Sequence, residues 1–211
     1  MHPVPRHHTP GEAISSLGDL SFDRALSRAL QPRADYDVNR WLFVPGEYTE
    51  YRYILGTRGA RPLICVGINP SFAAPDALDP TLQSVQRIAL GNGYDSFIMF
   101  NVYAQRATSP QDLDALPSEE LHRENLRAFD YILSLSEAPA VWAAWGNLIE
   151  SRPWLPACVA DIIRTAEAHG ARWFRCGRVS KLGHPHHPLY LRRDEPLVPF
   201  DMAAYMRQLG A

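Results

Sequence analysis

Pro62-Leu63-Ile64-Cys65-Val66-Gly67-Ile68-Asn69-Pro70-Ser71 decides the fold class. Its first half, Pro62 to Gly67, is a short apolar run bounded by turn residues, which reads as a strand buried on both faces. Its second half is polar and turn-forming. Downstream, Thr81 to Leu90 places Leu82, Val85, Ile88 and Ala89 at helical spacing, and Gly91-Asn92-Gly93 stops it. The same phrase then repeats. Phe97 to Val102 is a second apolar run, and Ser118 to Leu135 a second helix with Glu119 and Glu120 in its first turn. Ala140 to Trp145 is a third run, and Pro156 to His169 a third helix with Val159, Ile162, Ile163 and Ala166 on one stripe. Arg172 to Cys176 is a fourth, weaker run, and Ala203 to Leu209 a last helix. Strand and helix in alternation predict a three-layer αβα sandwich around a short, mostly parallel, four-stranded sheet.

Upstream of this core, Tyr51, Tyr53 and Leu55 alternate with Arg52 and Ile54, which suggests a strand near the sheet edge. Ser21 to Leu30 reads as a short helix capped by Ser21 and ended before Pro32. Residues 1 to about 18 are rich in Pro, His, Gly and Ser and read as a loose arm. The expected division is an N-terminal extension over residues 1–40 and a single α/β domain over 41–211.

Composition limits the function. The chain has 211 residues with 21 basic and 23 acidic side chains. That balance excludes a polybasic protein held on nucleic acid by bulk charge alone. No apolar stretch reaches the roughly 18 residues of a membrane span, and the N-terminus lacks the apolar core of a signal peptide. Cys65, Cys158 and Cys176 stand far apart and are odd in number. A disulfide framework or an iron–sulfur site is therefore not expected, and a reducing cytoplasm is. No cofactor and no metal is called for.

Ligands in parallel sheets bind beyond the carboxyl ends of the strands. The unusual residues of this chain cluster there. Gly67-Ile68-Asn69-Pro70-Ser71-Phe72 follows the first run, and Asn101 with Arg106-Ala107-Thr108 follows the second. Trp145-Gly146-Asn147 follows the third, and His184-Pro185-His186-His187-Pro188-Leu189-Tyr190 closes the loop after the fourth.

Two resemblances rest on these groups. Asn69-Pro70-Ser71, Asp79-Pro80-Thr81, Asn101 with Arg106-Ala107-Thr108, Trp145-Gly146 and His187-Pro188-Leu189-Tyr190 resemble the pattern of an uncharacterised bacterial and phage family, DUF1643. The likeness covers about residues 51 to 200 and implies no activity. More distantly, Gly67-Ile68-Asn69-Pro70, Asn101, Trp145-Gly146 and His187-Pro188 resemble, in order, four motifs of the uracil-DNA glycosylase superfamily. Ser71 stands where that superfamily has glycine or tyrosine.

The second resemblance implies a uracil-DNA-glycosylase-like fold and the hydrolysis of an N-glycosidic bond of a modified or damaged base. Asn69 would orient a water through its side-chain carbonyl, a positioning role. Asn101 would read a base edge with its donor and acceptor. His187 would donate to a carbonyl of the departing base. Phe72 or Tyr190 would stack on the base, and Arg106 would pair with a phosphate. The implied partner is nucleic acid or a nucleotide. Arg175, Arg178, Lys181, Arg192 and Arg193, with Arg172, form an acid-free basic strip suited to phosphates.

Simpler readings stand beside these. Asn69-Pro70 makes a turn, Asp79-Pro80-Thr81 starts a helix, and Trp145-Gly146 packs a ring at a tight strand exit. All but one of the 21 basic residues are arginine, so the strip also fits an ordinary solvated surface. His184 and His186 would share one side of an extended segment, which leaves a metal reading open. The alternatives to a glycosylase are an enzyme on free nucleosides or nucleotides and a binding module without turnover.

Overall fold

A computed structural model describes residues 13–14 and 17–210. The loose arm expected over the first 18 residues falls mostly outside that range. The described residues form a mixed sheet of seven strands with five α-helices: α1 (Phe22–Ala29), β1 (Trp41–Val44), β2 (Ile54–Thr57), β3 (Pro62–Gly67), α2 (Pro80–Gly91), β4 (Ser96–Asn101), α3 (Glu119–Leu133), β5 (Ala140–Ala143), α4 (Leu155–Ala168), β6 (Arg172–Cys176), β7 (Leu197–Pro199) and α5 (Met202–Leu209). The sheet order is β1-β2-β4-β3-β5-β6-β7.

The four apolar runs read from the sequence are its parallel centre, β4-β3-β5-β6. The sheet is nevertheless larger and more mixed than expected. β2 joins β4 antiparallel, β1 joins β2, and β7 joins β6 antiparallel at the far edge. β2 is therefore second from the edge, near it as the alternation suggested. Tyr51 through Gly56 is buried without a break, so the strand shows no polar face even there.

Side chains of the central strands alternate between two cores. Ile64, Val66, Ile98, Phe100, Val141 and Ala143 face one side, where α1, α3, α4 and α5 pack. Leu63, Cys65, Phe97, Met99, Ala140 and Trp142 face the other, covered by α2 together with Tyr36, Trp41 and Phe43. The layers are thus unequal. Part of the region read as an extension is built into the larger core: Leu20, Phe22, Ala25 and Ala29 are buried in it, and the Phe22 N–H donates to Glu124 Oε2 at 2.8 Å. No helix among the described residues is long and apolar enough to cross a membrane.

Chain direction sets the position of the cleft. β3 leads through α2 to β4 on one side of itself, and β4 leads through α3 to β5 on its other side. The outgoing connections of β3 and β5 therefore leave on opposite faces and open a crevice at the carboxyl end of β3.

Candidate functional site

A cleft of about 310 Å³ occupies that crevice. It is lined by Gly67, Ile68, Asn69, Ser71 and Phe72 after β3, and by Met99 and Asn101 at the end of β4. Asp79 and the first turn of α2, Ala107, Thr108, Pro110, Leu148, His187 and Leu189 complete the wall, and Arg52 lies in it as well. Its volume is at the lower end for small-molecule sites and suits one ligand of about nucleoside size.

Asn101 ends β4 directly opposite Gly67 of β3. Its backbone is held by Asn125, whose Nδ2 donates to the carbonyls of Asn101 at 3.0 Å and Val102 at 3.2 Å. The side chain is 1% exposed, and both its Nδ2 and its Oδ1 lack a hydrogen-bond partner. A Cβ on Gly67 would stand 2.5 Å from Met99 Cε and 3.1 Å from Asn101 Oδ1. Glycine at 67 thus leaves the Asn101 amide its room.

Asn69 is fixed differently. Its Nδ2 donates to Ala107 O at 2.8 Å and to Pro70 O at 3.2 Å. Both donors are committed, so the amide has only its Oδ1 acceptor to offer the cleft. The Pro70 carbonyl also accepts the Ala107 N–H at 3.0 Å, closing the β3 loop onto the β4 loop. Asp79 caps α2 by accepting from the Leu82 N–H at 2.8 Å, and its other oxygen accepts from the Ser71 hydroxyl at 2.9 Å. With Pro80 in the first turn, the helix-start reading of that motif is what the structure shows.

His187 precedes a short 3-10 turn over Pro188–Tyr190, and its Nδ1 accepts the Leu189 N–H at 3.3 Å. That bond leaves the ring proton on Nε2. Burial, and then neighbouring His186, push the His187 pKa below the ordinary 6.5, while Asp79 pulls the other way. His187 therefore enters the cleft as a neutral donor.

His184 serves a different purpose. Trp145 Nε1 donates to the Tyr205 hydroxyl at 2.7 Å, Tyr205 meets His184 Nδ1 at 2.8 Å, and His184 Nε2 reaches Glu150 Oε1 at 3.0 Å. Indole is a donor only, so the hydroxyl accepts from Trp145; with the His184 Nε2–H donating to Glu150, the hydroxyl donates to His184 Nδ1. Both His184 nitrogens are engaged in this chain. No group of three or more His, Cys, Asp or Glu among the described residues is placed to hold a metal ion.

The structure brings together Gly67, Ile68, Asn69, Ser71, Phe72, Asn101 and His187 from the residues singled out in the sequence. It places Trp145 elsewhere, fully buried among core rings, with Trp173 at 6.0 Å and Tyr205 at 5.6 Å between centroids. Gly146 lies against the His187 backbone in a left-handed conformation (φ +63°), a turn role. Pro70 and Pro188 shape the backbone without lining the cleft. The Tyr190 side chain is outside the described residues. Arg106 sits behind Ser71 and donates through Nη1 to the Ser71 carbonyl. None of Arg175, Arg178, Lys181, Arg192 and Arg193 lines the cleft. Arg192 pairs with Asp194 at 3.1 Å, Arg175 donates to the Gly177 carbonyl, and Arg193 borders a separate groove beside α2.

Sequence reasoning missed Arg52. The signal was present: one charged residue inside the otherwise apolar and aromatic run Tyr51-Arg52-Tyr53-Ile54-Leu55. The three cysteines are buried and free, and burial pushes the Cys65 thiol far up.

Against known proteins, the family model described as "Protein of unknown function (DUF1643)" matches residues 52–189. No curated protein and no solved structure gives a match.

Proposed function

The chain belongs to the DUF1643 family, and we propose from its cleft that it is an enzyme hydrolysing the N-glycosidic bond of a nucleobase-bearing substrate, with a uracil-DNA-glycosylase-like arrangement of residues. One observation carries this reading. Asn101 presents an unpaired donor and an unpaired acceptor, side by side and buried, at the end of a central strand. Unpaired buried amides cost stability, so a ligand with the complementary acceptor and donor is the natural partner. A nucleobase edge has that pattern. Asn69 Oδ1 then orients the attacking water, and the His187 Nε2–H donates to the base carbonyl as charge develops on leaving. Phe72 gives the base a stacking surface.

Within this reading, free nucleosides or nucleotides are favoured over a long duplex. The basic residues of the sequence strip do not line the cleft, and Arg192 is already paired with Asp194. The direct test is base release, followed by chromatography, from nucleoside 5′-monophosphates and from oligonucleotides carrying uracil, mismatches and modified bases. Asn69→Ala runs alongside. Release that falls about 100-fold in the variant supports the enzyme. Binding of base-bearing ligands with no release from any of them identifies a binding module.

The pH dependence is a second test. A donor that must stay neutral works above its pKa, and that of His187 is lowered from 6.5. The rate should therefore hold level as pH falls to 6.5 and decline only below it. The same shift has a stability counterpart. The unfolded chain takes up the proton first, so the contribution of His187 is complete above pH 6.5 and is lost as pH falls through its folded pKa. A pH–rate profile that rises on acidification contradicts the neutral-donor role.

A further inference from the structure

Arg52 and Arg106 are 1% and 0% exposed, and the backbone brings them side by side. Tyr51 bridges Gln105 antiparallel, the Arg52 N–H donates to Ala104 O at 2.9 Å, and the Arg106 N–H donates to Glu50 O at 2.7 Å. Residues 52 and 106 are each one step from that bridge, so they emerge on the same face of the ribbon. Their side chains converge on one loop. Arg52 Nη1 donates to Ala73 O at 3.1 Å, and Arg106 Nη1 donates to the Ser71 carbonyl and to Ala73 O at 3.5 Å. The Tyr48 ring covers the Arg106 guanidinium at 4.2 Å.

Arg52 Nε, Arg106 Nε and Arg106 Nη2 are buried without a partner. Neither guanidinium forms an ion pair with a carboxylate among the described residues. Burial lowers the Arg52 pKa to about 10. Burial, reinforced by Arg52, lowers that of Arg106 to about 9. Both stay charged at neutral pH, and two unpaired charges in a dry site are expensive. Among the described residues, Asp79 is the one carboxylate lining the cleft, and its oxygens already serve Leu82 and Ser71. Arg52 in the cleft wall and Arg106 behind it thus lie near Asp79, with Glu50 the further acid acting on Arg106, beside the N-terminal turn of α2, whose dipole also favours negative charge.

We propose that Arg52 and Arg106 form the receptor for a terminal phosphate of the substrate, with Arg52 contacting it at the cleft wall and Arg106 adding its charge from behind. The inference rests on the nucleotide reading above and narrows it to phosphate monoesters. Side chains this deeply enclosed accept an end group. A phosphodiester inside a strand needs chain leaving on two sides, whereas Arg52 and Arg106 are almost wholly enclosed.

The experiment is a calorimetric titration of the full chain with inorganic phosphate, methyl phosphate and dimethyl phosphate. Phosphate and the monoester should bind saturably and the diester should not. Arg52→Gln, which keeps a donor for Ala73 O, should weaken phosphate binding about ten- to hundredfold. Equal binding of diester and monoester, no saturable phosphate binding, or unchanged affinity in folded Arg52→Gln overturns the receptor. Should that variant fail to fold, the wild-type ester series decides alone. Nucleoside 5′-monophosphates and 5′-phosphorylated oligonucleotides, each against its dephosphorylated form, separate the two sources of a terminal phosphate. A 5′-monophosphate that binds no tighter than methyl phosphate supports the receptor and defeats the nucleobase reading, so the two failures are distinct.

Discussion

Tyr205→Phe should lower the unfolding free energy by about 2–6 kcal/mol, read from urea denaturation. The ring itself fits, and its packing on Trp145 and Phe200 survives. The loss comes from two neighbours. Trp145 Nε1 and His184 Nδ1 both meet the Tyr205 hydroxyl, and both residues are buried. Removing one oxygen orphans two polar groups, at about 1–3 kcal/mol each. A double-mutant cycle isolates the cause. Trp145→Phe should cost less in the Tyr205→Phe background than in the wild type, because the orphaned donor is removed with the ring. A loss under about 1 kcal/mol would show that water or another group takes over these bonds. The variant should also slow any reaction that depends on His187, since His184 anchors the loop that carries it.

Asn101→Leu should do the opposite to stability. Leucine is close in shape and carries no polar atoms. The wild-type amide has two buried groups without partners, so the exchange should stabilise the free protein by about 1–3 kcal/mol. Turnover should fall by about 100-fold or more, since two hydrogen bonds to the base edge vanish together. The pairing of these signs is the point. A residue kept for the fold would lose stability on replacement, whereas one kept for a ligand gains it. Thermal unfolding without ligand, run beside the base-release assay, checks both. A destabilised variant, or a stable one with normal turnover, would sink the recognition role.

The parallel centre was legible because three of its strands are apolar runs and the fourth, with two arginines, is a weaker one. Pro62–Gly67 and Arg172–Cys176 have the bounds the sequence suggests, and Ser96–Asn101 is offset by one residue. The helices were legible through caps: Ser21, Asp79 and Ser118 each accept from the first turn of the helix they precede. β1 and β7 were not. Trp41–Val44 is four residues buried on both faces, and Leu197–Pro199 is three ending in proline. Neither is long enough to show a period. At the site, Asn69, Asn101 and His187 announce themselves by standing at strand ends and in a rigid loop. Arg52 shows itself only as a lone charge in an apolar run, and its pairing with Arg106, far along the chain, emerges only in the fold. Trp145 drew attention for its neighbour Gly146, yet its ring belongs to the core.

The helix that carries Tyr205 lies beyond the family match, which ends at residue 189, and α1 and β1 lie before its start at residue 52. A recombinant fragment trimmed to those borders would retain Asn69, Asn101 and His187. It would lack the hydroxyl that secures His184, the Gln208 amide that holds Leu182 O at 2.7 Å, and the Phe22 contact that occupies Glu124. Such a fragment would expose the apolar face that α1 and α5 normally shield and should be prone to aggregation and proteolysis. Its inactivity would then report a lost buttress, with no bearing on the chemistry of the cleft.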